Sequence, residues 1–254
     1  MHLTRTGTRT LYLDLMQRCL SGTIYEDPPQ DPWSGGQFMP NRRANGLDWP
    51  SAAHTMIGQL RMDNLRRLVE TALTDQTPGD LIEAGVWRGG ACIYMRAILE
   101  AYGDTDRKVF VADSFAGCPP PNPDLYPADA DDPHHTYAPL AVSLMQVRDN
   151  FAKYDLLDHR VVFIEGWFRD TLHRAPIDRL AVLRLDGDLY ESTWDALTAL
   201  YDKVSAGGFV IIDDHALPGC RKAVRDFREQ HDITEPIVAI DATGAYWQKA
   251  TPPH

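Results

Sequence analysis

Four carboxylates crowd two short stretches of the chain, Leu185-Asp186-Gly187-Asp188 and Ile212-Asp213-Asp214. Each stretch follows an apolar run with the character of a buried strand, so both sets of acids would stand at strand ends. Side by side they would repel and raise one another's pKa values. A divalent cation relieves that repulsion. All-oxygen donors, with no Cys and few His nearby, suit Mg²⁺ or Mn²⁺ rather than zinc. The bland alternative is that Asp213 or Asp214 caps the next helix while Asp186 and Asp188 are solvated. His215 reads as a turn residue beside this cluster.

A second set of residues has the character of a cofactor site. Glu83, Gly85, Trp87, Gly89 and Gly90 lie in the segment Glu-Ala-Gly-Val-Trp-Arg-Gly-Gly, at the end of another apolar run. Glycines there let a strand-to-helix turn pass close to a ligand. The spacing is not the G-x-G-x-x-G of a nicotinamide site, nor is there a P-loop lysine. Glu83, inside an apolar strand, is costly unless paired. Asp113-Ser114 follows the next run, where a carboxylate can accept hydrogen bonds from ribose hydroxyls or cap a helix. Trp87 and Trp167 each follow a strand and could stack on adenine or face a sulfonium. His54 reads as a capping or packing residue. His134-His135 reads as a surface pair, with substrate contact as the alternative.

Alternating elements position these residues. Helical periodicity covers 11–20, 55–74, 91–102, 140–154, 192–204 and 223–230; apolar runs predict strands at 80–86, 108–115, 160–166, 180–186 and 207–214. The strands at 236–241 and 245–250 flank a three-residue turn with Gly244, which suits an antiparallel hairpin at the sheet edge. Together these predict an α/β fold, a doubly wound Rossmann-like sheet with a C-terminal antiparallel hairpin. Ligands of such sheets sit beyond the carboxyl ends of the strands, where the candidate residues fall. Two Pro-rich loops run over 23–50 and 118–139, and the first is too long for an idle connector. We therefore divide the chain into 1–54, a helix with a lid or interface loop, and 55–254, the domain that carries the chemistry.

Composition narrows the classes. The 254 residues carry 25 Lys and Arg against 36 Asp and Glu, a net charge of −11, which disfavours a nucleic acid partner. No apolar run reaches the roughly 18 residues that a membrane helix needs. The N-terminus lacks the apolar core of a signal peptide, and the four cysteines form no C-x-x-C pair. Three or more of them read as buried, inert thiols in a cytoplasmic protein.

The chain resembles the TylF-like (macrocin O-methyltransferase) family. The matching segments are LYLDL (11–15), AHTMIG (53–58), EAGVWRGGACI (83–93), VADSFAG (111–117), EGWFRDTL (165–172), LRLDGDLYEST (183–193) and GGFVIIDD (207–214), nearly the whole chain in order. The resemblance implies a class I methyltransferase sheet, S-adenosyl-L-methionine (SAM) as cofactor, a divalent metal and a homo-oligomer. It implies Asp186, Asp213 and Asp214 as metal ligands and Asp188 as general base; a competing assignment makes Asp186 both ligand and base. Thr55 and Met56, the turn from Glu83 through Gly85 and Trp87 to Gly89, Asp113-Ser114, and Gly166-Trp167 match its cofactor-binding parts. The implied reaction is Mg²⁺-dependent methylation of a sugar hydroxyl on a glycosylated natural product of antibiotic biosynthesis. The two long loops depart from the macrolide enzymes' form, so the reaction carries over better than the acceptor. A catechol-type methyltransferase acting on a phenolic diol is the alternative. A non-catalytic SAM-fold protein and an NAD-dependent oxidoreductase are disfavoured by the intact acidic cluster and by the missing dinucleotide fingerprint.

Overall fold

The computed structural model describes residues 7–250. A seven-stranded sheet runs through it. Its strands are β1 (Asp80–Ala84), β2 (Val109–Asp113), β3 (Val161–Glu165), β4 (Leu180–Leu185), β5 (Val204–Ile212), β6 (Val238–Ala239) and β7 (Ala245–Gln248). The order is β3-β2-β1-β4-β5-β7-β6. The first five strands are parallel, while β7 pairs antiparallel with both β5 and β6. The predicted doubly wound sheet and its closing hairpin are both present.

Side chains alternate across each strand, and both faces are covered. Leu81, Val109, Val111, Val182, Phe209 and Ile211 face one core. That core is roofed by α1 (Thr8–Leu20), α3 (Gly58–Thr74), α4 (Gly90–Tyr102) and α5 (Leu144–Ala152). Their strand neighbours Ile82, Phe110, Leu183, Val210 and Ile212 face the other core, against α7 (Tyr190–Leu200) and α8 (Pro218–Gln230). Two short helices, α2 (Pro40–Ala44) and α6 (Phe168–Thr171), complete the set.

Local chemistry sets the ends. Ser143 caps α5 by accepting a hydrogen bond from the Gln146 amide at 3.3 Å. Pro218 opens α8 at a position where its missing N–H costs nothing. The helix expected from residue 55 begins at Gly58 instead, because residues 53–57 run non-helically along the glycine turn. There the Gly90 amide donates to the carbonyl of His54 at 2.9 Å. Helix α7 stops at Leu200, and β5 begins three residues before the expected strand. Strand β6 is reduced to two residues.

The first long loop is held by buried polar groups. Asp27 accepts from the amides of Ala52 and Ala53 at 2.8 and 2.7 Å and from the Ser51 hydroxyl at 2.6 Å. Arg43, 1% exposed, bonds Asp48 and donates to the carbonyls of Ser21 and Asp27. Asp31 accepts from the Trp49 amide at 2.8 Å. With its backbone and charges satisfied this way, a segment with little regular structure keeps a fixed shape. Among the described residues, no helix is long and apolar enough to cross a membrane.

Candidate active site

A cavity of about 270 Å³ opens beyond the carboxyl ends of β1, β2, β4 and β5. Thr55, Met56, Glu83, Gly85, Trp87, Asp113, Ser114 and Trp167 line it on one side; Asp186, Asp188, Asp213 and Asp214 line its floor. Gly89 and Gly166 do not line it. Gly89 has φ +84° at the mouth of α4 and faces Val147 and Phe151; Gly166, with φ +135°, turns the chain out of β3.

Register brings the charges together. Glu83 and Arg184 are neighbours across β1 and β4. The Arg184 guanidinium, 1% exposed, pairs with Glu83, with Asp213, and with Asp186 at 2.8 Å. So the costly carboxylate in the apolar strand has its partner, one strand away. Burial pushes the Glu83 carboxyl up to about 7, while Arg184 pulls the other way. Arg61 of α3 completes the network, pairing with Asp213 and with Asp241 of the closing hairpin at 3.1 Å. Nothing in the sequence marks either arginine for this role.

Two guanidiniums do not neutralise this floor. One oxygen from each of Asp186, Asp213 and Asp214 lies within 4.8 Å of the others. Among the described residues Asp214 has no cationic partner, and burial together with Asp188, Asp186 and Asp213 pushes its carboxyl well above the usual range. Hard donors with surplus negative charge are what a divalent cation requires, so this trio fits one.

Asp188 stands beside the trio in a left-handed backbone conformation, φ +58°. Such strain in a non-glycine residue persists only where surrounding structure enforces it. Its amide donates to Asp214 at 3.1 Å, and the Cys118 thiol lies 3.5 Å from its Oδ2. Burial raises its pKa. Cys118 is only partly buried, as is Cys19, against the expectation of buried thiols; Cys92 and Cys220 are buried.

Asp113 behaves differently from a free ribose acceptor. Its Oδ2 already accepts from the Val86 amide and its Oδ1 from the Phe115 amide, both at 2.7 Å. It thereby ties the end of β2 to the glycine turn, with the Ser114 hydroxyl 3.4 Å from its Oδ1. Trp87 donates its indole N–H to the Pro139 carbonyl at 2.8 Å, joining that turn to the second long loop. His54 packs edge-on against Tyr154 with Nδ1 2.8 Å from its hydroxyl.

The second loop corrects the reading of His134 as a surface residue. It turns inward to line the cavity, with its Nε2 3.9 Å from Asp188 Oδ1. Nearby, Trp33 and Trp49 from the first loop meet Tyr137 from the second, with ring centroids 4.9–6.4 Å apart. Their shared signal in the sequence is only that aromatics and histidines sit in otherwise Pro-rich loops.

Sheet order, a glycine turn between β1 and α4, and acids at the ends of β2 and β4 define a class I methyltransferase. The family model of macrocin O-methyltransferase (TylF) matches residues 28–249, and the chain belongs to that family. It is similar to the 8-demethyl-8-(2,3-dimethoxy-alpha-L-rhamnosyl)-tetracenomycin-C 4'-O-methyltransferase of Streptomyces olivaceus, at 54% identity over 94% of this chain and 93% of that one. It is also similar to the demethyldecarbamoylnovobiocin O-methyltransferase of Streptomyces niveus, at 53% identity over 94% of each. The solved structure of the O-methyltransferase NovP superposes with a TM-score of 0.92 at 52% identity, covering 96% of this chain and all of that one. The chain is thus a SAM-dependent O-methyltransferase.

Proposed function

We propose that this enzyme methylates a sugar hydroxyl of a glycosylated natural product in antibiotic biosynthesis, with Asp188 as general base and a divalent cation, Mg²⁺ or Mn²⁺, held by Asp186, Asp213 and Asp214. The observation that carries this reading is the strained Asp188 beside an undercompensated carboxylate trio, on the floor of the cavity that the glycine turn opens. The rhamnosyl group in the name of the Streptomyces olivaceus relative supports a sugar acceptor. When bound, the cation would supply Lewis acidity that makes an acceptor hydroxyl easier to deprotonate.

The chain's own residues do the rest. Thr55, Met56, Glu83, Gly85, Trp87, Asp113, Ser114 and Trp167 hold the cofactor, with Gly89 and Gly166 shaping the turns behind it. When bound, S-adenosyl-L-methionine would supply its sulfonium methyl to an acceptor oxygen, the C–S electron pair staying on sulfur to leave S-adenosylhomocysteine. The hydroxyl proton passes to Asp188. The aromatic trio of Trp33, Trp49 and Tyr137 covers the acceptor, a role that gives the two loops their length. Residues 1–54 act as lid and homo-oligomer contact, and 55–254 as the methyltransferase domain. The setting is cytoplasmic, where the free thiols stay reduced.

Asp188→Asn tests the base. Turnover should fall by about 10²–10⁴ while calorimetric affinity for S-adenosylhomocysteine is kept; full turnover would remove Asp188 from the role. EDTA should abolish turnover and Mg²⁺ restore it. Methylation of a catechol in preference to a glycosylated acceptor would favour a phenolic substrate instead.

A further inference from the structure

We propose that Asp129 of the second loop is a positioning residue: it caps α7 from outside the helix and so fixes the Asp186-Gly187-Asp188 turn, making the docking of that loop and the setting of the acidic floor one event. The proposal rests on the reading of that floor as a cation site.

Helix α7 starts directly after the turn and carries no cap of its own. Leu189 stands at its N-cap and offers no side-chain acceptor to the free amides of the first turn. Asp129 meets them instead, from far earlier in the chain. It ends a short 3-10 turn, Pro127–Asp129, in the loop between β2 and α5. Its Oδ1 accepts from the Tyr190 amide at 2.6 Å and its Oδ2 from the Glu191 amide at 3.0 Å. A carboxylate at this place is favoured by the unpaired N–H groups and by the helix dipole. Asp129 is 1% exposed, so a residue of the loop is buried wholly in the service of the helix.

Three elements meet at this carboxylate. From the loop, Tyr126 packs against Tyr190 with ring centroids 5.8 Å apart, and Tyr190 stacks in turn on Trp194 at 5.9 Å. From α8, Gly219 leaves the room that Asp129 occupies: a Cβ there would stand 2.7 Å from Asp129 Oδ1. The Tyr190 hydroxyl donates to Asp226 of α8 at 3.1 Å. Helices α7 and α8 follow the strand ends that carry Asp186 with Asp188 and Asp213 with Asp214. The turn is therefore gripped twice, by Asp214 at the Asp188 amide and by Asp129 at the Tyr190 and Glu191 amides. Such a grip is what a non-glycine residue at φ +58° requires. The same loop lines the cavity with Cys118, Pro119 and His134, so the group that sets the floor also sets the wall beside it.

Asp129→Ala and Gly219→Ala test the assignment in the full chain, by hydrogen exchange and by calorimetric titration with Mn²⁺ and with S-adenosylhomocysteine. Asp129→Ala removes the cap. Gly219→Ala keeps the carboxylate but crowds it off the α7 amides, although glycine to alanine ordinarily favours a helix. In both variants we expect the amides of 118–139 and of 186–193 to exchange faster together, while β1 and β2 keep wild-type protection. Mn²⁺ affinity should fall by about tenfold or more, the scale for groups that hold metal ligands in place. Affinity for S-adenosylhomocysteine should stay at the wild-type value. A plain structural support would change the amount of protein that binds Mn²⁺, not the affinity. Wild-type Mn²⁺ affinity in either variant would overturn the proposal. So would faster exchange at 186–193 with the loop unmoved, or faster exchange throughout the sheet with both affinities reduced alike. Wild-type protein that takes up no Mn²⁺ would strike the reading of the carboxylate trio beneath it, and concerted exchange of loop and turn would then decide the tether on its own.

Discussion

Gly85 and Asp186 approach so closely, at the ends of β1 and β4, that a Cβ on the glycine would collide with the aspartate's carbonyl oxygen. Gly85 also has φ +88°, a conformation that L side chains rarely adopt. Gly85→Ala must therefore push two adjacent strand ends apart where the cofactor and cation readings meet. We expect a loss of about 3 kcal/mol in stability, read from urea unfolding, together with loss of S-adenosylhomocysteine binding. A variant that binds normally would mean that the strand ends yield easily.

Arg184→Met addresses the buried charges. It would leave Glu83 and Asp213 without their main cation in the middle of the sheet. Removing one partner of a buried pair costs about 3–5 kcal/mol, chiefly because the other charge is stranded. The double variant Glu83→Gln with Arg184→Met should recover part of that loss. A single variant as stable as the wild type in denaturant titration would show that the carboxyls neutralise themselves by taking up protons.

His54 gives a pH dependence of stability. Burial, with Lys153 and Arg88 adding repulsion, holds its imidazole down to about 4, below the ordinary value near 6.5. Between those values the unfolded chain binds a proton that the folded chain refuses. The stability His54 contributes is present above pH 6.5 and is lost as pH falls toward 4, by up to about 3 kcal/mol. His54→Gln should flatten this part of the urea-midpoint profile. An identical slope in both proteins would assign the acid sensitivity elsewhere.

Trp49→Ala tests the aromatic trio. Its ring lies 4.9 Å from Trp33 and 5.4 Å from Tyr137, between the two loops. Truncation should raise acceptor KM by about tenfold, the scale of one lost stacking contact, and leave cofactor affinity unchanged. A fall in cofactor affinity with normal acceptor KM would place the trio on the wrong substrate.

These outcomes also mark what the sequence can reveal. The carboxylates of β4 and β5 were legible as a cluster because two parallel strands joined by one helix commonly lie side by side. Glu83 announced a missing partner, but not which one; Arg184 is hidden inside Leu-Arg-Leu, and only strand register places it opposite. Arg61 reads as an ordinary helical charge until α3 is packed. His134 lies in a Pro-rich stretch with no periodicity, so nothing local says which way it points. The start of α3 at Gly58 is not legible, because Thr55–Ile57 has apolar spacing that fits a helix, while its contacts with the glycine turn are tertiary.

The polar anchors of the first loop have a longer-range consequence. Asp27, Asp31, Arg43 and Asp48 fasten the loop to itself and to the segments on either side of it, whereas Trp33 and Trp49 are the members that reach toward the second loop. The residues that build the loop and those that would meet a substrate are separate sets. Mutation can then exchange the second set while the first preserves the frame, so a new acceptor preference is reachable without renegotiating the sheet beneath. The loop is built as an interchangeable cassette on a sheet that need not change with it.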